Sequence, residues 1–485
     1  MKKNIHNYRL LVFLLLAGAV SVFVRLYHIT GPVADWHSWR QADTAAVARN
    51  FSTFGFDLLH PRYDDLSNIQ SGKDNPNGWR MVEMPLYQAA GYGLNSIFPK
   101  FSLEVSLRLV SIFATAGSVF LMGILLYEFS GTTTAMIGAA LYAILPFSIY
   151  YGRTILPDPF ATFWALLSLI LLIKNDQKRI WLVRVLASGL CAAISLLVRP
   201  MAIFLLFPSV YLLFRNFSLK RTSVSVLIYG FIACVPLLLW RRWILQYPEG
   251  IAVFDWLFNK GNIRFKGAWF HWLFAQRLAE LILGYWGLVP FALGLVSVND
   301  KKESMFSFLW LAGGLSYFVI FAAGNVQHDY YQALIIPIVI WFTAKGLAKL
   351  LQRQDGIHRG AAFVLAAVSC IFLFAFSWFT IRTYFWINHP EIIEAGKAAD
   401  AFLPPHAKVI APYNGDTSFL YQTKRQGWPL GFDIDKKIVM GAQYYVSVAT
   451  TDDNWETNNL AREYPVLVKT DTYAIIDLTK KLEKH

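Results

Sequence analysis

The chain has 485 residues, of which 56% are hydrophobic and 15% charged, and its mean hydropathy is +0.41. Ordinary soluble domains carry roughly 25% charged residues, so the composition excludes an array of soluble domains and reads as a polytopic membrane protein. The balance of 44 basic against 31 acidic residues gives a net charge of +13, but the excess tracks short connections between apolar segments. That is a topology signal and not a nucleic-acid signal, and no nucleic-acid partner is expected. Cys191, Cys234 and Cys370 all fall inside apolar stretches without metal-ligand spacing, which excludes a disulfide framework or a zinc site.

A helix that crosses the hydrocarbon core needs about 20 mostly apolar residues, because lipid cannot satisfy backbone polar groups. Eleven segments qualify, near 10–29, 108–127, 134–151, 159–173, 180–198, 200–214, 223–240, 278–298, 305–323, 331–350 and 361–381. Pro159 and Pro200 open the two shortest ones, at a helical position where a missing amide proton costs nothing. Segment one follows Lys2, Lys3 and Arg9, lacks a small-residue cleavage site and reads as a retained anchor. Basic residues gather at 174–179, 215–221, 301–302 and 345–359. With these on the inner side, the amino terminus is cytoplasmic and an odd number of crossings puts the carboxyl end outside a cell membrane. The fold class is therefore an α-helical membrane protein with a small carboxy-terminal α/β domain. The expected domains are 1–381, with outer loops 30–107 and 241–277, and 382–485.

The tail alternates strand-like runs at 408–412, 443–449, 464–469 and 472–478 with helix-like stretches at 391–402 and 455–464. Within the apolar segments the midplane is almost free of charge, which disfavours an ion-coupled pump. Arg25 and Arg108 sit near outer ends and are expected to snorkel. The polar clusters share one depth, at the outer ends of helices: Asp35, His37, Arg40 and Asp43; Glu83; Arg153 and Asp158; Arg199; and His328, Asp329, Tyr330 and Tyr331. A reactive group presented on a lipid at that surface would meet acids and cations from several loops.

From Asp43 onward the first loop reads as an interfacial helix, with Asp43 suited to cap it and Val47, Phe51 and Phe54 suited to lie on lipid. Trp36 and Trp39 fit an aromatic belt. Glu83 precedes a second interfacial helix at 84–98. Arg153 and Asp158 are confined to one short turn, where their simplest structural use is a mutual salt bridge. No glycine-rich nucleotide loop is present, as fits an activated group that arrives on a lipid.

The motifs Ala45-Ala-Val-Ala-Arg49, Pro85-Leu-Tyr87 and the Arg153-to-Asp158 turn occur in this order along the chain. They resemble those of GT-C glycosyltransferases, in the branch of lipid A aminoarabinose transferases and protein O-mannosyltransferases. The resemblance implies transfer of a sugar, with inversion, from a polyprenyl-phosphate donor to a hydroxyl acceptor on the outer face. Asp43 or Asp35 is then the catalytic base, and Arg153, Arg40 or Arg199 meets the donor phosphate. Glu83, Asp158, His37, His328, Asp329, Tyr330 and Tyr331 line the sugar or acceptor. The partners are the lipid-linked donor, the hydroxyl acceptor and the bilayer. No cofactor is implied with certainty, and the acids are suited to a divalent cation. The alternative is a flippase that moves a lipid-linked sugar without chemistry.

Overall fold

Apolar segments in lipid form helices because only a helix pairs its own backbone groups within one segment. The computed structural model describes residues 2–173, 180–216, 219–297, 301–352, 358–450 and 454–483. Among them, seven helices are long and apolar enough to cross a membrane: Tyr8–Arg25, Leu103–Ile144, Trp181–Val198, Arg221–Ile244, Lys301–Ile320, Asp329–Leu351 and Arg359–Phe385. Asp158–Ile173 and Pro200–Arg215 are apolar but shorter. The basic residues expected at 174–179 and 353 lie outside the described residues.

The count differs from eleven for identifiable reasons. The segments at 108–127 and 134–151 correspond to two helices that follow one another within Leu103–Ile144, separated by a non-helical Gly131, where φ is 84° and ψ 178°, and they are counted together above. The second of them stops at Pro146, which begins a separate short helix, Pro146–Tyr151. The segment expected at 278–298 is broken into a π-type helix, His271–Ile282, and a second helix, Leu288–Val296, with positive φ at Gly284 and Tyr285 between them. A side chain at Gly284 would start 2.3 Å from the Leu373 carbonyl oxygen, so the break also lets another helix approach closely.

The chain divides into two compact units. A membrane unit comprises 1–29, 108–241 and 254–384, and a loop unit comprises 30–107, 242–253 and 385–485. In the membrane unit, Leu288–Val296 lies against Ile336–Leu351 with glycine at the contact. A methyl group on Gly346 would lie 1.7 Å from the Pro290 carbonyl oxygen, and one on Gly294 would lie 1.8 Å from that of Phe342. Small residues bring helix backbones together in this way where lipid supplies no hydrophobic drive.

Arg25 and Arg108 do not snorkel; both are fully buried. Arg25 donates to the carbonyls of Ser21 (2.9 Å), Ala143 (2.8 Å), Tyr142 (3.3 Å) and Ser148 (3.1 Å). Two of these carbonyls, those of Tyr142 and Ala143, end the helix that breaks at Pro146, where intrahelical donors run out. Arg108 donates to the Ile29 carbonyl at 2.7 Å. Lys345, expected in a basic loop, is buried inside the helix Ile336–Leu351 and pairs with Glu303 at 2.9 Å.

In the loop unit a five-stranded sheet has the order β2-β1-β3-β5-β4, with β1 Lys408–Ile410, β2 Gly427–Trp428, β3 Ala442–Ser447, β4 Val466–Lys469 and β5 Ala474–Asp477. The pairs β1–β2 and β1–β3 are parallel, whereas β3–β5 and β4–β5 are antiparallel. Alternation along the strands separates two apolar layers. Val409, Val446 and Ile475 pack with the helix Glu391–Phe402, and Ile410, Tyr445 and Ile476 pack with Leu460 and Tyr464. The first loop joins this sheet, since Gly427 donates to the Asp64 carbonyl at 2.9 Å and Leu66 donates to that of Gly427 at 2.8 Å.

Candidate active site

In the loop unit, the helix Ser38–Phe54 starts five residues before the expected cap, with His37 in the left-handed region at its N-cap. Asp43 is therefore not a cap; it sits inside the helix, 1% exposed. Its Oδ1 accepts from Thr417 Oγ1 at 2.7 Å, and its Oδ2 accepts from Gln70 Nε2 at 3.1 Å and meets the Arg80 guanidinium at 3.2 Å. A carboxylate offers about four acceptor positions, so one remains for a further donor. The lipid-facing surface expected of this helix is also corrected, because Val47 and Phe51 are 1% and 3% exposed and only Phe54, at 46%, is open.

Asp35, also buried, accepts from Gln41 Nε2 at 2.7 Å. Arg40 pairs with Glu83 at 2.7 Å, both side chains buried. Glu83 precedes the helix Leu86–Ile97. Arg49, the last residue of the Ala-x-x-Ala-Arg motif, pairs with Asp64, donates to the Tyr421 carbonyl at 3.0 Å and lies over the Tyr421 ring. Burial works against its charge, but Asp64, Tyr421 and Glu104 hold its affinity for the proton above the ordinary value. Asp65 is buried as well. Its Oδ1 accepts the Ser67 amide at 2.8 Å, while no hydrogen-bond partner reaches its Oδ2 among the described residues. Burial raises its pKa to about 6; hydrogen bonds from Ser67 oppose the rise, and Asp43 adds to it.

In the membrane unit, Asp158 opens the helix Asp158–Ile173 and pairs with Arg199 Nε at 3.0 Å. The Arg199 guanidinium lies 4.8 Å from the Tyr331 ring centroid and 6.0 Å from that of Tyr330. Arg153 is buried, with its guanidinium 5.2 Å from the Tyr150 ring and a long donation to the His28 carbonyl at 3.4 Å. Asp329 accepts from Tyr151 (2.6 Å) and from Tyr384, with Arg277 at 3.8 Å. His328 stacks near Tyr330, with ring centroids 5.4 Å apart.

The membrane unit thus gathers Asp158 with Arg199, Tyr330 and Tyr331, and the loop unit gathers Asp43 with Arg80 and Arg40 with Glu83. Sequence reasoning missed Arg80, Gln70, Asp65 and Thr417, and it missed Tyr151, Arg277 and Tyr384 around Asp329. Arg80 stands three residues before Glu83 and shares its motif, which was a usable signal. Thr417 lies 374 residues from Asp43 and gave none. Among the described residues, no group of three or more His, Cys, Asp or Glu side chains is arranged to hold a metal ion.

Residues 87–276 match the family model described as dolichyl-phosphate-mannose-protein mannosyltransferase. A search of curated proteins gave no match. Among solved structures, ArnT from Cupriavidus metallidurans bound to undecaprenyl phosphate is similar, with a TM-score of 0.64 at 12% identity over 96% of this chain and 97% of that one. The Archaeoglobus fulgidus oligosaccharyltransferase in complex with Zn and sulfate is similar at a TM-score of 0.54 and 13% identity, over 90% of this chain and 67% of that one. The archaeal oligosaccharyltransferase AglB from the same organism, in complex with an inhibitory peptide and a dolichol-phosphate, gives 0.54 at 11% identity, over 98% and 74%. The chain is a multi-pass membrane protein with the fold of the GT-C glycosyltransferases, and it carries a segment that matches a protein mannosyltransferase family.

Proposed function

We propose that the chain is a glycosyltransferase that moves a sugar from a polyprenyl-phosphate donor to a hydroxyl acceptor, with inversion, on the outer face of the membrane. The observation that carries this reading is Asp43, a buried carboxylate inside a helix, gripped by three donors and relieved of the capping role that would have explained it. The matched mannosyltransferase segment and the fold shared with a protein bound to undecaprenyl phosphate support it.

The acceptor oxygen attacks the anomeric carbon while the bond from that carbon to the phosphate oxygen breaks, and the lipid phosphate leaves with the electron pair. The acceptor hydroxyl proton passes to the Asp43 carboxylate, with Asp35 as the alternative base. Assistance of this kind is worth ~10²–10⁴ in rate. Charge grows on the leaving phosphate, and guanidinium groups suit its oxygens. Arg199 and Arg153 are assigned that task, with Asp158 orienting Arg199. Arg40 is the weaker choice because Glu83 already holds it. Glu83, His37, His328, Asp329, Tyr330 and Tyr331 remain the candidates for sugar and acceptor contacts.

Mass spectrometry of lipid that co-purifies with the protein identifies the donor. Transfer is then assayed with that donor in radiolabelled form and cell-envelope extract as acceptor. Wild type transfers label and Asp43→Asn does not; full turnover by both Asp43→Asn and Asp35→Asn overturns the proposed base. Movement of the lipid between leaflets with no transfer overturns the enzyme reading in favour of a flippase.

A further inference from the structure

The helix that carries Asp43 ends, eleven residues later, at Phe54, about 16 Å along the axis at 1.5 Å per residue. At that end the loop unit holds a cavity of about 330 Å³, with Arg62, Phe54, Trp79, His60, Asp57 and Tyr247 among its walls. Its size falls at the lower end of the roughly 300–1,000 Å³ of small-molecule sites. Three separate stretches of chain build it, and none of these side chains has a place in the transfer mechanism.

Two features of the cavity are unlike ordinary surface. Arg62 has its guanidinium 4.4 Å from the Trp79 ring centroid and 4.9 Å from that of Phe54. Ring contacts of this type hold the cation without using its N–H groups. Among the described residues, that guanidinium makes no ion pair, so its fork remains available to an anion. A chain of hydrogen bonds runs beside Trp79, whose ring lies 5.7 Å from that of His60 and 5.6 Å from that of Tyr247: Asp57 Oδ2 meets His60 Nδ1 at 2.7 Å, and His60 Nε2 meets the Tyr247 hydroxyl at 2.9 Å. Asp57 also accepts the amides of Leu59 and His60 at 2.8 and 3.3 Å. The cavity lining thus combines a carboxylate and a hydroxyl with aromatic rings that carry a cation.

We propose that this cavity is a second binding site, for a saccharide that bears a carboxylate or phosphate, in which Arg62, held by Trp79, takes the anion and the exposed ring of Phe54 takes the apolar face of the sugar. The lining decides for a saccharide over a bare phosphate headgroup. The carboxylate of Asp57 accepts from the several hydroxyls of a sugar, and the aromatic lining is matched by the C–H face of a pyranose, which a glycerol phosphate does not have. Binding here does not require the transfer reading, so the two stand or fall separately.

The test is a ligand-observed NMR titration of the full-length protein in detergent with four probes: trigalacturonate, glucose 6-phosphate, the uncharged maltotriose and glycerol 1-phosphate. Wild type is expected to bind at least one of the two anionic saccharides at least tenfold tighter than maltotriose or glycerol 1-phosphate. Arg62→Ala is expected to weaken that binding at least tenfold, and Arg62→Lys to restore part of it. Phe54→Ala, at an exposed position that folding tolerates, is expected to weaken it severalfold and decides the matter should Arg62→Ala fail to fold. The proposal is overturned if neither anionic saccharide binds, if maltotriose binds as well as they do, if Arg62→Ala or Phe54→Ala binds like wild type, or if glycerol 1-phosphate binds equally well, which would make the site a lipid-headgroup site.

Discussion

In the membrane unit, Arg25 and Arg108 face backbone carbonyls; in the loop unit, Asp43 and Glu83 face side-chain donors. The first arrangement repairs a defect in the main chain. Where helices break or end inside an apolar surround, their carbonyls have no water to turn to, and a buried guanidinium supplies several donors at once. The second arrangement repairs nothing in the main chain, since the donors that meet the Asp43 carboxylate are side chains. A buried acid that the backbone does not need is a better marker of chemistry than a buried base that the backbone does need. Asp158 with Arg199 in the membrane unit is the intermediate case, an acid and a base that meet each other.

The comparison predicts opposite signatures for the two kinds of residue. The largest effect is on activity: Asp43→Asn is expected to keep one of the two hydrogen bonds it accepts from Thr417 and Gln70, and the fold, yet lower transfer by ~10²–10⁴. The assay is turnover per mole of folded protein, with the thermal unfolding midpoint as control. A parallel loss of both would place Asp43 with Arg25 as a structural charge. Next, Arg25→Leu is expected to destabilise by roughly 3–5 kcal/mol, because several buried carbonyls lose their donor at about 1 kcal/mol or more each. The measurement is the yield and unfolding midpoint of the purified variant. A stable, correctly folded Arg25→Leu protein would break the distinction drawn between the two units.

How much of this is legible in the sequence follows the range of the interactions. The strand-like runs at 408–412 and 472–478 contain β1 and β5 because alternation is a local signal, whereas β2, with two residues, is too short to show it. The polar residues at helix ends stand out because charge is rare in an apolar chain. Their partners do not, since the donors to Asp43 come from positions 70, 80 and 417 and no periodicity links those positions. Asp43 itself reads as a cap only while the true start of its helix is hidden; that start is earlier, at Ser38, with a histidine in place of a capping side chain. Burial is hard to read for a related reason. Val47 and Phe51 are apolar whether they face lipid or protein, and composition does not distinguish the two. That 64–66 joins the sheet of the carboxy-terminal segment is also invisible in the sequence, being a contact across more than three hundred residues.

Asp65 offers the finest test, because it is buried beside Asp43 with one oxygen unpartnered among the described residues. Its pKa is raised by burial from 3.8 to about 6. A carboxyl that binds its proton more tightly in the folded state supplies stability that is fully present below the unfolded value and is lost as pH rises through the folded one. The window therefore runs from about pH 4 to about pH 6, and the loss across it is on the order of 3 kcal/mol from a shift of this size. Asp65→Asn carries a neutral side chain at every pH and removes that dependence. The expected result is a variant whose unfolding midpoint falls less between pH 4 and 6 than that of wild type, the raised carboxyls of Asp64 and Asp416 remaining, and which is more stable than wild type at pH 7. Equal pH profiles for the two proteins would mean that Asp65 is ionised in the fold with little penalty. A variant that is more stable but slower in transfer would instead show that the loop unit keeps this uncomfortable carboxylate for the sake of Asp43, through the charge the two acids share.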